Sequence, residues 1–344
     1  MTRKMFAAVV EQFGKPLAIQ EWDIPTPGAG QILIKTEACG VCHTDLHAAH
    51  GDWPLKPSLP FIPGHEGIGR VVATGAGVTA VKEGDRVGVP WLYSACGHCE
   101  YCLTGWETVC PQAQFGGYTK NGGFAEYLLA DPNYVAHVPA GLSAKEAAPI
   151  ICAGITTYKG IKETGARPGQ WIAISGVGGL GHLAIQYAKV MGLQVCAVDI
   201  DDGKLAHAKR LGADLAINAK AGDPVVAVKK GTSGGAHGVL ITAPSLAAFK
   251  QGVGMTRSRG TCVLVGLPPG EFPVPLFEVV ANCITIRGSF VGTRQDMVEA
   301  LAFAAEGKVK ADIERQPLSS INNIFERLEH GHVDSRVVID FDMR

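Results

Sequence analysis

Hydrophobic positions along the chain follow two different patterns, and the change between them falls near residue 153. Up to that point, short β-branched or alternating runs are separated by Gly, Pro and Asp, which is typical of a partly closed barrel or curled sheet. These runs predict strands at 4–10, 31–37, 67–74 and 86–89.

Beyond residue 153, apolar runs typical of buried strands alternate with segments in which apolar residues recur at helical spacing. This alternation predicts a doubly wound parallel sheet with helices on its faces. The predicted strands are 171–175, 194–199, 215–218, 238–242 and 261–265, and the predicted helices are 179–191, 203–211, 224–230 and 245–255. Beyond 284–290, the C-terminal elements fit either part of the chain: helices at 294–306 and 319–329, and a closing strand at 336–341.

Length and composition predict a globular protein of about two domains, because 344 residues exceed what one core usually organises and 47% of them are hydrophobic. With 31 basic against 32 acidic residues and no long run of like charge, neither a nucleic-acid nor a membrane partner is expected. The absence of a signal-like or membrane-spanning apolar run favours a cytoplasmic protein. In such a compartment the ten cysteines are expected to be metal ligands, catalytic groups or small buried residues rather than disulfides.

A glycine-rich turn opens the alternating region. Gly176, Gly178 and Gly181, with Gly179 between them, match the pattern G-x-G-x-x-G, and Asp199 ends the next predicted strand. An isolated match also fits a tight turn without function, but between a strand and a helix these glycines let the backbone turn sharply and approach a pyrophosphate. Asp199 is expected to bind the ribose hydroxyls and to repel a 2'-phosphate. The motif therefore predicts NAD rather than NADP.

Four cysteines form a second motif with the spacing C-x2-C-x2-C-x7-C: Cys96, Cys99, Cys102 and Cys110. Four thiolates around one point suit a tetrahedral zinc with no open position, which is a structural site. An iron–sulfur cluster is the chemical alternative. His98, between the cysteines, is expected to be a solvated loop residue.

The stretch Gly40–His47 collects a thiol, a hydroxyl, a carboxylate and two imidazoles, yet on its own it fits an ordinary loop as well as a metal site. His65 follows a proline-rich turn, and Cys152 lies where the hydrophobic pattern changes. Together with Cys42, they would form a site of two thiolates and one imidazole with an open fourth position, as expected of a catalytic zinc. No spacing rule joins residues that lie so far apart.

Taken together, these motifs resemble those of the zinc-dependent alcohol dehydrogenases of the medium-chain dehydrogenase/reductase family, and most resemble the short bacterial and yeast type of ethanol dehydrogenase. The resemblance covers essentially the whole chain, including Ser335–Val338. It implies a GroES-like β-rich catalytic domain formed by 1–153 and 291–344, with a structural zinc lobe at about 94–112. It also implies an NAD-binding Rossmann domain at 154–290 and an active site in the cleft between the domains.

The resemblance also implies the roles of individual residues near the metal. Cys42, His65 and Cys152 correspond to the ligands of the catalytic zinc. Glu66 corresponds to a carboxylate beside the metal that can transiently bind it. Asp45 would hold the imidazole of His65 in its ligating tautomer.

Further residues resemble the family's proton relay and substrate pocket. Thr44 and His47 match the relay, and Trp53 and Trp91 match pocket positions where two indoles would admit only short primary alcohols. Tryptophans also pack in cores without any such role.

Three more positions match residues that contact the cofactor in the family. His43 would face the pyrophosphate, Lys204 the adenosine ribose, and Arg336 a cofactor phosphate. Among the remaining cysteines, Cys39 is expected to be a small buried residue. The other three lie in or beside predicted strands and are expected to behave as small hydrophobic residues: Cys196, Cys262 and Cys283.

The activity implied is NAD-dependent, zinc-assisted oxidation of ethanol-like primary alcohols to aldehydes, and the reverse reaction, by a homotetramer with two zinc ions per subunit. One alternative is an enzyme of the same family that acts on polyols, aromatic alcohols or other secondary alcohols. A more distant alternative is a non-catalytic NAD-binding redox sensor, which should have lost a ligand or the relay.

Overall fold

A computed structural model describes residues 3–333 and 335–343, and the chain divides into two compact units. The first unit contains the chain up to Cys152, Thr293–Glu306 and the chain from Ala311, and the second contains Ala153–Gly292 and Gly307–Lys310. The predicted α/β fold class is confirmed, because each unit combines sheets with helices. The assignment of catalytic and cofactor-binding roles to 1–153, 154–290 and 291–344 stays a prediction.

Seventeen strands are present in the described residues. In chain order, β1 to β17 are Lys4–Val9, Ala18–Asp23, Ile32–Val41, Gly67–Thr74, Arg86–Val89, Leu92–Ser94, Gln114–Phe115, Tyr127–Ala130, Ala136–His137, Trp171–Ser175, Gln194–Asp199, Leu215–Asn218, Ala236–Ile241, Thr256–Leu264, Thr285–Gly288, Ile313–Gln316 and Arg336–Asp340.

The same part of the chain contains eleven α-helices. In chain order, α1 to α11 are His43–His50, Glu100–Leu103, Ala144–Pro149, Ile155–Glu163, Gly181–Val190, Asp202–Arg210, Pro224–Gly231, Leu246–Met255, Leu276–Ala281, Arg294–Ala305 and Ile321–Glu329. None of these helices combines the length and apolar character that crossing a bilayer requires.

The main sheet of the first unit is organised around β3, which is buried along nearly its whole length. The strand order is β16-β17-β3-β4-β5-β9, and β8 also pairs with β3. The C-terminal strand β17 lies antiparallel to β3, with Val338 opposite Gly40. Because β3 runs through the middle of the sheet, Cys42, which directly follows this strand, is buried.

The second unit contains a parallel sheet of six strands in the order β12-β11-β10-β13-β14-β15. β10 and β13 are neighbours although two strands separate them in the chain, so the strand order reverses between them. Ligands of doubly wound sheets bind outside the carboxyl ends of the strands at such a reversal. The glycine-rich turn directly follows β10.

Most predicted strands are confirmed, and Gly67–Thr74, Arg86–Val89 and Trp171–Ser175 have the predicted bounds. The sequence patterns did not predict helix α1, which begins at His43 within the stretch that fits an ordinary loop as well as a metal site. The helix was missed because its N-cap is Cys42, and cysteine is not among the residues that usually cap helices.

Candidate active site

The first candidate site begins where β3 passes into α1. Cys42 caps the helix in an extended backbone conformation, and its N–H donates to the Asp45 carboxylate at 3.0 Å. Gly51 ends the helix with a φ of 68°, a left-handed conformation that glycine adopts without steric cost. The short helix therefore fixes the Cys42 thiol and the Asp45 carboxylate inside the first unit.

Asp45 orients the imidazole of His65. Its Oδ1 lies 2.8 Å from His65 Nδ1 and also accepts the Gly64 N–H at 3.1 Å, and the two side chains are buried. Because an ionised carboxylate only accepts hydrogen bonds, Nδ1 carries the proton and Nε2, 3.2 Å from Cys152 Sγ, is available to bind a metal. Although burial opposes protonation, the negative charge and hydrogen bond of Asp45 outweigh it and raise the pKa of His65 well above the ordinary value.

Cys152 lies on a π-helical turn, Ile150–Gly154, between α3 and α4. Pro149, which lacks a backbone N–H, ends α3 immediately before this turn. π-turns are frequent at functional sites because they redirect side chains. A hydrogen bond from the Cys152 thiol stabilises the Cys42 thiolate, so the pKa of Cys42 lies well below and that of Cys152 well above the ordinary value.

Glu66 and Arg336 form a buried ion pair beside these ligands. Burial raises the pKa of Glu66, and the guanidinium of Arg336 opposes that rise. Within the described part of the chain, Glu66 Oε2 and Arg336 Nε have no hydrogen-bond partner. Gly40 makes room for the carboxylate, because a Cβ there would lie 1.8 Å from Glu66 Oε2. The carboxylate thus keeps one oxygen free for a cation, while the proposed contact of Arg336 with a cofactor phosphate stays a prediction.

The structure brings the predicted ligands together. One donor atom from each of Cys42, His65, Glu66 and Cys152 lies within 4.8 Å of the others, and all four residues are buried. Two thiolates, an imidazole Nε2 and a carboxylate are a donor set that fits zinc. That these residues bind zinc stays a prediction.

The four cysteines of the second motif converge equally closely. Cys96, Cys99, Cys102 and Cys110 place their Sγ atoms within 4.8 Å of one another. Backbone N–H groups, first that of His98, lower the pKa of Cys96 to about 6, while desolvation among the thiols raises that of Cys102 to about 12. Crowded thiols held partly ionised by backbone donors fit a metal that would replace their protons. His98 itself is exposed and bonds the Cys96 carbonyl rather than joining the cluster.

A buried carboxylate anchors this cysteine lobe to α10. Glu107, in the 3-10 turn Glu107–Val109, accepts from Arg294 Nε at 3.0 Å, from Nη2 at 2.8 Å and from the backbone N–H at 2.9 Å. The Arg294 guanidinium also lies 4.5 Å from the centre of the Tyr134 ring. Tyr134 in turn donates to the carbonyl of Ala95, immediately before the first cysteine.

Aromatic rings surround one side of the first site. The Trp91 ring contacts His65 edge-on at 5.3 Å and Trp53 at 6.1 Å. Trp91 Nε1 is buried and lacks a hydrogen-bond partner among the residues described. Sequence reasoning missed Phe115, which stacks on Trp91 at 5.1 Å, and Tyr118, which lies 5.6 Å from Trp53. Tyr118 also donates to a backbone carbonyl of the loop after α1, and no local pattern signalled either contact.

The relay candidates lie along α1. Thr44 and His47 are three residues apart and therefore on the same face of the helix. His47 Nδ1 lies 2.8 Å from a carboxylate oxygen of Asp52, a contact that sequence reasoning missed. His43 is exposed, and its Nε2 lies 3.3 Å from the carbonyl of Leu328.

In the second unit, the glycine motif forms a tight turn after β10. Gly176 has a φ of 98°, and a Cβ on Gly181 would lie 1.8 Å from the Gly176 carbonyl oxygen, so both positions exclude larger residues. A Cβ on Gly178, by contrast, would meet no described atom within 4 Å, so the turn is open there to a ligand. The predicted helix starts later than expected, at Gly181 instead of Gly179.

Asp199 ends β11 beside this turn. Its Oδ2 accepts the Val177 N–H at 2.6 Å, and its Oδ1 accepts the N–H groups of Ile200 and Asp201 at 2.7 and 3.1 Å. The carboxylate is thus held in place by backbone donors before any ligand arrives. Lys204 lies in the first turn of α6, and its backbone N–H donates to Asp201.

Residues 28–140 match the family model of the alcohol dehydrogenase GroES-like domain, and residues 179–306 match that of the zinc-binding dehydrogenases. The chain is 60% identical to an alcohol dehydrogenase of Moraxella sp. (strain TAE123), over 98% of this chain and 100% of that protein. It is similar to the structure of an alcohol dehydrogenase from the archaeon Aeropyrum pernix, with a TM-score of 0.89 and 34% identity over 97% and 99% of the two chains. It is also similar to an acetophenone reductase from Geotrichum candidum in complex with NAD, with a TM-score of 0.87 and 29% identity over 100% and 99%.

Proposed function

The chain belongs to the alcohol dehydrogenase family of zinc-binding dehydrogenases, and from that premise we propose that it oxidises short-chain primary alcohols such as ethanol to aldehydes and catalyses the reverse reduction. Zinc and NAD are its cofactors. The observation that carries the substrate proposal is the buried donor group with Trp91 packed directly against His65.

Cys42, His65 and Cys152 would hold the catalytic zinc, with Glu66 beside it as a further donor. Bound zinc supplies a Lewis acid that lowers the pKa of an alcohol hydroxyl by several units. Asp45 keeps the proton of His65 on Nδ1 and so presents Nε2 as the ligand. Arg336 balances the charge of Glu66 in a buried environment where an unpaired carboxylate would be costly.

The second metal would be bound by Cys96, Cys99, Cys102 and Cys110. Four thiols with no further donor needed leave no open position, so zinc there would hold the lobe together rather than act on a substrate. We therefore expect two zinc ions per chain.

Thr44 and His47 would remove the hydroxyl proton of the alcohol substrate. Thr44 is half-buried near the start of α1, and His47 lies one turn later on the same helix face, where it is partly exposed. A hydroxyl and an imidazole in that order suit the transfer of a proton from the interior towards solvent.

The pocket proposal depends on the indoles. The rings of Trp53 and Trp91 meet edge to face. The ring of Phe115 stacks on Trp91, and the ring of Tyr118 packs against Trp91 at a tilt. Rigid aromatic walls of this kind exclude water and leave little width for a branched or cyclic substrate.

The glycine turn would hold NAD. Gly176, Gly178 and Gly181 let the turn approach a pyrophosphate, with Gly179 inside the motif. NAD supplies the hydride acceptor. Asp199 favours it over NADP, because a carboxylate repels a 2'-phosphate and no arginine follows Asp199 immediately.

His43, Lys204 and Arg336 are proposed as further cofactor contacts because their positions match those of the family. All three carry groups that can donate to phosphate or ribose oxygens.

We also propose a cytoplasmic homotetramer. All ten cysteines lie within the described residues and none forms a disulfide, which fits a reducing compartment where ligand thiols stay available. Leu276, Phe277 and Val280 of α9 are exposed apolar side chains, and association between subunits would bury them. Light scattering after size-exclusion chromatography would measure the assembly.

Initial rates with NAD and with NADP over a series of linear alcohols, a polyol and benzyl alcohol test the proposed activity. We expect the highest kcat/KM for ethanol or propanol with NAD. Good turnover of the polyol or of benzyl alcohol without turnover of ethanol would refute the substrate proposal. Elemental analysis should find two zinc ions per chain, and one zinc in a fully active preparation would refute the two-site proposal.

A further inference from the structure

The histidine proposed to end the proton relay has a carboxylate partner. His47 Nδ1 lies 2.8 Å from Asp52 Oδ2, and the side chains are 30% and 44% exposed. The turn at Gly51 brings Asp52 back to the helix, where its N–H donates to the carbonyl of His47 at 3.2 Å. Both the backbone and the side chain of Asp52 are therefore bonded to the same residue.

We propose that Asp52 is a positioning residue of the relay, which holds the proton of the neutral His47 imidazole on Nδ1 and leaves Nε2 as the atom that receives the substrate proton. The proposal rests on the proposed relay role of His47. Its basis is that an ionised carboxylate accepts hydrogen bonds and never donates them, so the shared proton must come from Nδ1. A neutral imidazole has one proton, so Nε2 then carries the free lone pair.

The surroundings of His47 also favour the charge that forms during the transfer. When Nε2 accepts a proton, the ring becomes an imidazolium with both nitrogens protonated, and Asp52 remains an ionised counter-charge. His47 lies in the last turn of α1, where the helix carbonyls favour a positive charge, although His50 shares that turn. Loss of the same proton to solvent restores the neutral ring with its proton on Nδ1.

Asp52 also has a structural alternative, because it precedes Trp53, whose ring centre is 5.7 Å from that of His47. If Asp52 only held this loop, its carboxylate could be removed with no effect on the position of the His47 proton. The two roles are therefore separated by observing the proton directly.

The first test is ¹⁵N NMR of the zinc-loaded enzyme without coenzyme, labelled on histidine and recorded for the neutral imidazole. The signal of His47 is identified by its loss in His47→Asn. We expect the proton on Nδ1 in the wild type and in Asp52→Glu. In Asp52→Ala the side chain at this position can no longer accept from Nδ1, so we expect the proton to move to Nε2 in part of the molecules. The amide of Asp52→Asn can either donate to or accept from Nδ1, so that variant is used for the rate and not for the tautomer. The proton on Nδ1 alone in Asp52→Ala, as in the wild type, would overturn the proposal, whatever the activity.

The second test is kinetic. Asp52→Asn should lower kcat for alcohol oxidation about tenfold with KM changed less than about twofold, and added MOPS at constant pH and ionic strength should restore part of the rate. Asp52→Glu should retain most of the rate. Asp23→Asn, which removes the exposed pair of Asp23 with Lys4 at the same 2.8 Å distance, is the matched control and should behave as the wild type.

The rates of the His47 and Asp52 variants distinguish an error in the role of Asp52 from an error in the relay role of His47. If His47→Asn has the wild-type rate, the relay role of His47 is wrong and the proposal falls with it. If His47→Asn is slow while Asp52→Asn has the wild-type rate and Asp52→Ala the wild-type tautomer, the relay stands and only the role of Asp52 is refuted.

Discussion

The buried carboxylate of Glu107 allows a quantitative prediction about the cysteine lobe. The substitution Glu107→Gln keeps the shape of the side chain but removes its charge. Arg294 donates to both carboxylate oxygens, at 3.0 and 2.8 Å, so the new amide NH₂ must face one of these donors. We expect the lobe to loosen at the turn that leads into Cys110.

The loss of stability expected for Glu107→Gln depends on how deeply the ion pair of Glu107 and Arg294 is buried. Removing one partner of a fully buried ion pair costs about 3–5 kcal/mol, whereas an exposed pair contributes about 0–1 kcal/mol. The side chain of Glu107 is 5% exposed and that of Arg294 is 45% exposed, so the pair lies between these limits. We expect Glu107→Gln to lower the free energy of unfolding by about 2 kcal/mol.

Urea denaturation followed by circular dichroism would measure the loss, and the rate of zinc transfer to a chromogenic chelator would report opening of the lobe. Glu37→Gln is the matched control, because Glu37 pairs with Arg70 at 3.0 Å and Arg86 at 2.8 Å in a more exposed setting and should cost less than about 1 kcal/mol. Equal losses of unfolding free energy in the two variants would show that burial does not determine the loss. Zinc transfer from Glu107→Gln at the wild-type rate would show that the ion pair does not hold the cysteine lobe closed.

Three further predictions concern other parts of the first unit. Gly40→Ala should displace the carboxylate of Glu66, because the added Cβ would lie 1.8 Å from Oε2, and zinc content and kcat should fall together; a variant with both unchanged would contradict the packing argument. Cys99→Ser should lose one zinc per chain and resistance to heat, whereas Cys42→Ser should lose one zinc and activity with stability nearly retained; elemental analysis and thermal unfolding distinguish the two. The hydrogen bond from Arg327 lowers the pKa of Glu314 to about 2, below the ordinary 4.5, so this stabilisation is present above about pH 4.5 and is lost as the pH falls towards 2. The stability difference between the wild type and Glu314→Gln should therefore be equal at pH 7 and pH 5, and a difference that already shrinks above pH 5 would be inconsistent with the lowered pKa.

Local patterns made much of the fold predictable. The strand Trp171–Ser175 and the glycine turn after it lie within one short segment, and the four cysteines of the lobe lie within another. The spacing of residues in each segment was therefore enough to predict these features. Helix α1 was not predictable in this way. Its few apolar residues define no clear face, and the residue that caps it is a cysteine that also belongs to the candidate metal site, not one of the usual capping residues.

The first site illustrates what local patterns lack. Cys42, His65 and Cys152 are brought together by β3, a turn and a π-helical segment, and no periodicity links such distant positions, so only the family resemblance predicted the set. Asp52 and Tyr118 escaped prediction for a related reason. Their contacts, with a histidine ring and with a loop carbonyl, depend on how the chain folds and leave no repeat in the sequence.

The pairing of β17 with β3 ties the order of synthesis to the completion of the metal site. The ribosome delivers Cys42, His65 and Cys152 well before Arg336, which follows Cys152 by more than half of the sequence. Until β17 takes its place beside β3, Glu66 has no guanidinium to balance it, and burying a lone carboxylate is costly. A nascent chain therefore holds every proposed ligand of the catalytic zinc before the charge of Glu66 is balanced, and we expect the site to be completed only after β17 has been made and has paired with β3.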